Sequence, residues 1–119
     1  EGWEDVTYYT EKKYGLYADQ GEGDQWVYVL SNPSLPKEYL KIGYTKLKPE
    51  ERAIQISSAT GVPTPYKVEW AYKCFNGEMV ERMTHEKLKA FRVNNRKEFF
   101  HISLEEAKEN IILIGNKFK

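Results

Sequence analysis

The sequence predicts an α+β domain, a small antiparallel sheet of three to four strands flanked by helices. Three observations carry this. Residues 26–31 (WVYVLS) and 39–44 (YLKIGY) are apolar, β-branched and aromatic runs joined by a short polar loop, the pattern of a hairpin. Residues 66–74 (YKVEWAYKC) alternate as a half-buried strand does, with Val68, Trp70 and Tyr72 expected on one face. Between and after these strands lie segments whose apolar residues recur at helical spacing.

The loop between the first two strands, NPSLPKE, holds Pro33 and Pro36 and cannot continue a ladder. The stretch KPEERAIQISSATG reads as a helix. Pro49 suits its first turn, Glu50 and Glu51 sit at the positive end of its dipole, and Gly61 and Pro63 stop it. After the third strand a second helix starts near Asn76, with Val80, Thr84, Leu88 and Phe91 as its apolar stripe. Phe99, Phe100 and Ile102 mark a short extended piece. Ser103 followed three residues later by Glu106 is a capping-box pattern, and Ala107, Ile111 and Ile114 supply the last helix with an apolar face. The expected order is β-β-α-β-α-β-α.

The 119 residues fit one domain, at 25–119, preceded by an acidic, Tyr-rich extension at 1–24. Tyr8, Tyr9, Tyr14 and Tyr17 of that extension are candidates for packing on the domain or on a partner, and Gly21 and Gly23 punctuate its end. The chain begins with Glu1 rather than Met, which suggests a piece of a longer polypeptide with further domains. No apolar run approaches the ~20 residues that span a bilayer, and the acidic start is unlike a signal peptide. Cys74 is the only cysteine, which excludes an intrachain disulfide and a Cys-based zinc site. An intracellular, reducing compartment is expected.

Net charge is zero but uneven. Residues 1–24 carry seven acids against two lysines, so the remaining chain is net basic by five. Arg82, Lys87, Lys89, Arg92, Arg96 and Lys97 form a basic run interrupted by one acid, Glu86. Such a run is commonly a solvated helix face, but it is also the field a polyanion would meet.

Several polar residues fall at unusual places. Tyr28 lies in the first strand and Lys41 in the second, where a hairpin allows both to present to one face. Arg52 sits one turn into the first helix. Glu81 and His85 are four apart on the second helix, bordering its apolar stripe. Singly each has an ordinary explanation: a rim tyrosine, a solvent lysine, a surface arginine, a helix i,i+4 pair.

Together they resemble a known family. Trp-Val-Tyr at 26–28, Lys41-Ile42-Gly43, Arg52 and the helical VERMTH at 80–85 follow the order of the GIY-YIG nuclease superfamily. SNPSLP, ISSATGVPTP and NNRKEFF are similar to its branch described from phage genomes and a meiotically up-regulated yeast protein, with KIG in place of YIG. The resemblance covers about residues 26–112.

It implies a metal-dependent endonuclease that hydrolyses DNA phosphodiester bonds. Glu81 would hold one Mg²⁺ or Mn²⁺ with waters. Tyr28 would orient or deprotonate the attacking water, and Lys41 would stand in for the YIG tyrosine as a donor beside the phosphate. Arg52 would bind the phosphate, and His85 would supply a donor where many family nucleases carry His or Tyr four residues after the arginine, a place held here by Ile56. Gly43 would let a substrate backbone approach. Glu98, typical of this branch, would be a second acid at the site or a partner of Arg52 or Arg96. His101 is expected to be structural.

Lys46, Lys48, Arg82, Lys89, Arg92, Arg96 and Lys97 are the candidate DNA contacts, with specificity supplied by another domain or protein. Two rivals keep the same fold: a catalytically degenerate nucleic-acid-binding module, or a protein-interaction module docking through the acidic segment.

Overall fold

The computed structural model describes residues 21–36, 38–60, 64–93 and 96–118. Expectations for Tyr8, Tyr9, Tyr14 and Tyr17, and for Gly61 and Pro63 as helix stops, lie outside these residues. The fold is α+β. Five antiparallel strands form one open sheet: β1 (Gln25–Ser31), β2 (Tyr39–Thr45), β3 (Lys67–Cys74), β4 (Arg92–Val93) and β5 (Arg96–His101), in spatial order β3-β1-β2-β5-β4. The helices are α1 (Pro49–Thr60), α2 (Gly77–Lys87) and α3 (Leu104–Gly115). Among the described residues no helix is long and apolar enough to cross a membrane.

The sheet is one strand larger than the sequence predicts. β4 has two residues, too few to show a period, and exists only through its pairing with β5. The second helix is shorter than its stripe implies. It ends at Lys87, a 3-10 turn covers Lys89–Phe91, and Phe91 is 44% exposed. The helical spacing of Phe91 is therefore incidental.

Residues directly opposite in an antiparallel pair share a face of the sheet. Tyr28 opposes Gly43, Leu30 opposes Lys41, and Lys41 opposes Phe99. These residues form one row. Val27 with Tyr44 and Tyr72, Val29 with Ile42 and Trp70, and Leu40 with Phe100 form the other. A register shift in the β1–β3 pairing sets Val68 against Leu30, so Val68 leaves the row of Trp70 and Tyr72 that simple alternation assigns to it.

α2 lies over β1 and β2, α3 lies over β1 and β3, and the two touch each other, so both cover the Val27–Val29–Ile42 face. Val80, Thr84, Ala107, Ile111 and Ile114 are buried there. α1 packs on β3 and β1 from the opposite side, burying Ala53 and Ile56. Ile56 is thus a core residue at the place where a polar group was sought.

Local choices fix the geometry of the connections. Ser103 caps α3, its Oγ accepting from Glu106 N at 3.2 Å, as the capping box predicts. Buried Asn32 ties the SNP loop to the segment before β3, donating to Thr64 O at 2.9 Å and accepting from Thr64 Oγ1 at 2.8 Å. Cys74 closes β3 as a buried thiol whose pKa burial pushes up to about 11, an inert state.

Candidate active site

Lys41 and Gly43 alternate with Leu40 and Ile42 along β2, so they point away from the α2–α3 core and toward the α1 side. Tyr28 reaches the same side from β1 and is 2% exposed. Its ring lies over Gly43: a Cβ there would stand 2.6 Å from Tyr28 Cζ. Gly43 is required by this ring, where the sequence pointed to an approaching substrate backbone.

Arg52 donates a hydrogen bond to the Tyr28 phenol. Its Nη1 also donates to Gln55 Oε1 at 3.1 Å, which steers the guanidinium from within α1. Burial, opposed by this arginine, pushes the Tyr28 pKa up to about 12. The phenol is therefore neutral near neutral pH.

Lys41 Nζ is bonded to Glu98 Oε1 at 2.5 Å and lies 5.2 Å from the Phe99 ring centroid. The residues are 57 apart in sequence. Glu98 was expected to pair with Arg52 or Arg96, or to stand as a second acid. Among the described side chains its partner is Lys41, while its charge also acts on Tyr28, Glu81 and His85, as a second acid would; the Arg96 side chain lies outside the described residues.

Glu81 comes from α2 and is half-buried. Burial, then the like charges of Glu98 and Glu78, push its pKa up to about 7, while Lys41 and Arg82 pull it down. One flank of β2 thus gathers two cations, two carboxylates and a phenol.

His85, one turn further along α2, places Nε2 2.7 Å from Ile42 O, near the point where the pairing of β2 with β5 ends. A carbonyl only accepts, so Nε2 carries the proton. Burial lowers the His85 pKa, which favours the neutral ring with Nδ1 as an acceptor. The ring packs on Phe100 with centroids 5.1 Å apart. Arg92 lies behind it, donating from Nη2 to His85 O at 3.4 Å, its guanidinium 5.5 Å from the Phe100 centroid.

The structure therefore brings together Tyr28, Lys41, Arg52, Glu81, His85, Gly43 and Glu98. It divides the candidate DNA contacts. Lys46 and Lys48 are exposed with no acidic partner among the described residues. Arg82 pairs with Glu78 at 3.5 Å and Lys89 with Glu86 at 2.9 Å, both pairs well exposed. Arg92 is half-buried in the wall behind His85. Arg96 and Lys97 lie on β5, with side chains outside the described residues. His101 is 62% exposed and 3.9 Å from Glu38, so it has no place in the core.

Two clefts open at the end of β2. One of about 370 Å³ is lined by Tyr44, Thr45, Lys46, Leu47, Arg52 and Gln55. The other, about 250 Å³, is lined by Gln25, Tyr44, Lys46, Asn76, Glu78 and Arg82, with Met79. Tyr44 and Lys46 belong to both and connect the Arg52 side to the α2 side. Tyr44 and Gln55 were not singled out from the sequence. The i,i+3 spacing of Gln55 from Arg52 was the available signal for one; nothing local marks the other.

The donor set fits a hard divalent cation. Glu81 offers carboxylate oxygens beside Glu98 and Glu78, whose charges are offset by Lys41 and Arg82. Among the described residues no cluster of three or more His, Cys, Asp or Glu could cage an ion. An ion here would keep most of its waters, which suits Mg²⁺.

The chain belongs to the T5orf172 domain family, whose model matches residues 25–115. That domain is found in phage and in GIY-YIG-like or HNH-type endonuclease contexts, which points to a nuclease-like, DNA-related role. Comparison with curated proteins and with solved structures gave no match.

Proposed function

We propose that this domain is a divalent-metal-dependent endonuclease of GIY-YIG type that hydrolyses DNA phosphodiester bonds. The observation that carries this is the convergence of Tyr28, Arg52, Lys41 and Glu81 on one flank of β2, from two strands and two helices. Hydrolysis of a phosphodiester puts extra charge on the phosphoryl oxygens and on the leaving oxygen. Fixed cationic donors around them are the largest contribution a protein makes.

Arg52 is aimed by Tyr28 and Gln55, so its remaining donors meet the phosphate already oriented. Lys41 supplies an ammonium from the strand side. The Tyr28 phenol, neutral near pH 7, orients the attacking water by hydrogen bonding. Neutral His85, with Nδ1 as acceptor, is the better candidate to receive that water's proton. Glu81 would hold Mg²⁺ or Mn²⁺, which when bound supplies charge stabilisation at the phosphate and leaving oxygen. Lys46, on the rim shared by both clefts, would contact the neighbouring phosphate backbone.

A second reading, a nucleic-acid-binding module without chemistry, is favoured by one observation: the Tyr28 phenol is buried and its pKa is pushed up to about 12. Plasmid nicking separates the two. Wild type should nick supercoiled DNA with Mg²⁺ or Mn²⁺ and stop with EDTA. Glu81→Ala and Arg52→Ala should each lower the rate by about 10²–10³-fold while binding persists. Salt-sensitive binding with no cleavage of duplex, branched or single-stranded DNA would select the binding module.

A further inference from the structure

Lys41 is the least settled cation by chemistry. It is a point charge on a flexible four-carbon stem, whereas a guanidinium carries its fork pre-formed. For an ammonium to act at a reacting phosphate, something must hold it. The sequence offers no local partner: its neighbours Leu40 and Ile42 point to the opposite face.

β5 supplies the holder. Its pairing with β2 reaches Lys41 opposite Phe99, and Glu98 is the next residue along. The Glu98 carboxylate takes Lys41 Nζ at 2.5 Å, while the Phe99 ring lies 5.2 Å from the same nitrogen. The two partners differ in accessibility. The Lys41 side chain is 13% exposed and that of Glu98 43%. The lysine is therefore mostly enclosed, with its carboxylate partner the more exposed of the two.

We propose that Glu98 is a positioning residue that fixes the Lys41 ammonium for contact with the scissile phosphate. This rests on the nuclease reading above. An ammonium has three N–H donors. Glu98 Oε1 takes one, which sets the rotation of the other two and leaves them for phosphate oxygens. The arrangement parallels Arg52, whose donors are set by Tyr28 and Gln55. Lys41 thus has an anchor on β5, and Arg52 has one on β1 and another within α1.

The carboxylate also lowers the positive field of Lys41. That makes the opposite role worth stating: a latch, in which Glu98 occupies the place of a phosphate oxygen and must leave before substrate binds. The two roles predict opposite signs. With a positioning residue, Glu98→Ala loses turnover because a donor that must be re-aimed at every event reacts slowly. With a latch, the same variant gains affinity and turnover.

The test uses the whole chain. Turnover and KM are measured on supercoiled plasmid with Mg²⁺ for wild type, Glu98→Ala, Glu98→Gln and Lys41→Ala. In parallel, the Lys41 side-chain ammonium is observed by NMR in the DNA-free protein, and backbone spectra report the fold. Positioning predicts that Glu98→Ala lowers kcat on the order of 10²-fold with KM within about twofold. It also predicts that the restrained ammonium signal is lost. Glu98→Gln keeps an acceptor, so it should recover much of both.

Unchanged or raised kcat in Glu98→Ala, or an ammonium as restrained as in wild type, would overturn the proposal. If wild type cleaves no substrate yet Glu98→Ala still frees the ammonium, the nuclease reading fails while the anchoring of Lys41 stands.

Discussion

The two faces of the sheet are built by the same strands and do opposite things. On the α2–α3 face, Val27, Val29, Ile42, Trp70, Tyr72 and Phe100 lie with Val80, Thr84, Ile111 and Ile114 in a buried, mostly apolar core. Thr84 is accommodated there because its hydroxyl donates to Val80 O at 2.7 Å within the helix. On the α1 face, Tyr28, Lys41 and Gly43 occupy alternate positions of the very same β1 and β2. Lys41 and Tyr28 find their polar partners there on other elements, Glu98 of β5 and Arg52 of α1. A two-residue period thus lets five residues of β2, from Tyr39 to Gly43, contribute to core and candidate site at once. It also answers why an ammonium interrupts an apolar run: Lys41 is the outward member of an alternating strand.

The comparison is broken most forcefully on the core face. Phe100→Ala should destabilise by about 3–5 kcal/mol, seen as a large fall in thermal midpoint, because Phe100 is fully buried. Next is Gly43→Ala, which places a methyl against the Tyr28 ring. Overpacking of this kind costs about 1–3 kcal/mol. It should also displace the phenol from Arg52 and lower cleavage, checked by melting and single-turnover assays on one preparation.

A smaller effect sharpens the electrostatics. The Glu81 pKa is raised to about 7 in the folded chain against an ordinary 4.5. Below 4.5 the carboxyl is protonated in both states and its contribution is fully present. As pH rises, the unfolded chain ionises first, so stability falls until pH passes about 7 and then levels off. Relative to Glu81→Gln, wild type should lose on the order of 1 kcal/mol between pH 4.5 and 8, after allowing for solvent screening. Denaturation curves at several pH values measure this, and Mg²⁺ should restore part of the loss at pH 8. Smallest of all, Lys46→Ala should reduce the salt dependence of DNA binding by one phosphate contact, about 0.9 in the log–log slope, with the fold unchanged.

Much of this was legible in the sequence. Apolar, β-branched and aromatic runs marked β1 and β2, alternation marked β3, the Ser103–Glu106 capping box marked the start of α3, and Tyr28, Lys41 and Arg52 stood out as polar residues at unusual places. What was not legible depends on distance in sequence. The Lys41–Glu98 pair joins two strands that are adjacent only in the sheet. The two-residue β4 has no periodicity, and the register shift beside Leu30 overrode the simple alternation of Val68. Phe91 fell on a helical period that the chain left four residues earlier. Gly43 was noticed, but the Tyr28 ring that requires it became visible only once β1 and β2 were in register.

The Tyr28 face is read here as a site rather than a second core. Tyr28→Phe tests it most directly, since only one hydroxyl is removed from a buried ring. Thermal midpoint and single-turnover cleavage of plasmid with Mg²⁺ should be measured together. If the face is a site, the midpoint stays within a few degrees of wild type and cleavage falls by about 10²-fold or more, the cost of losing an orienting group. Wild-type cleavage in a markedly destabilised variant would contradict it and make Tyr28 a core residue with a satisfied hydroxyl.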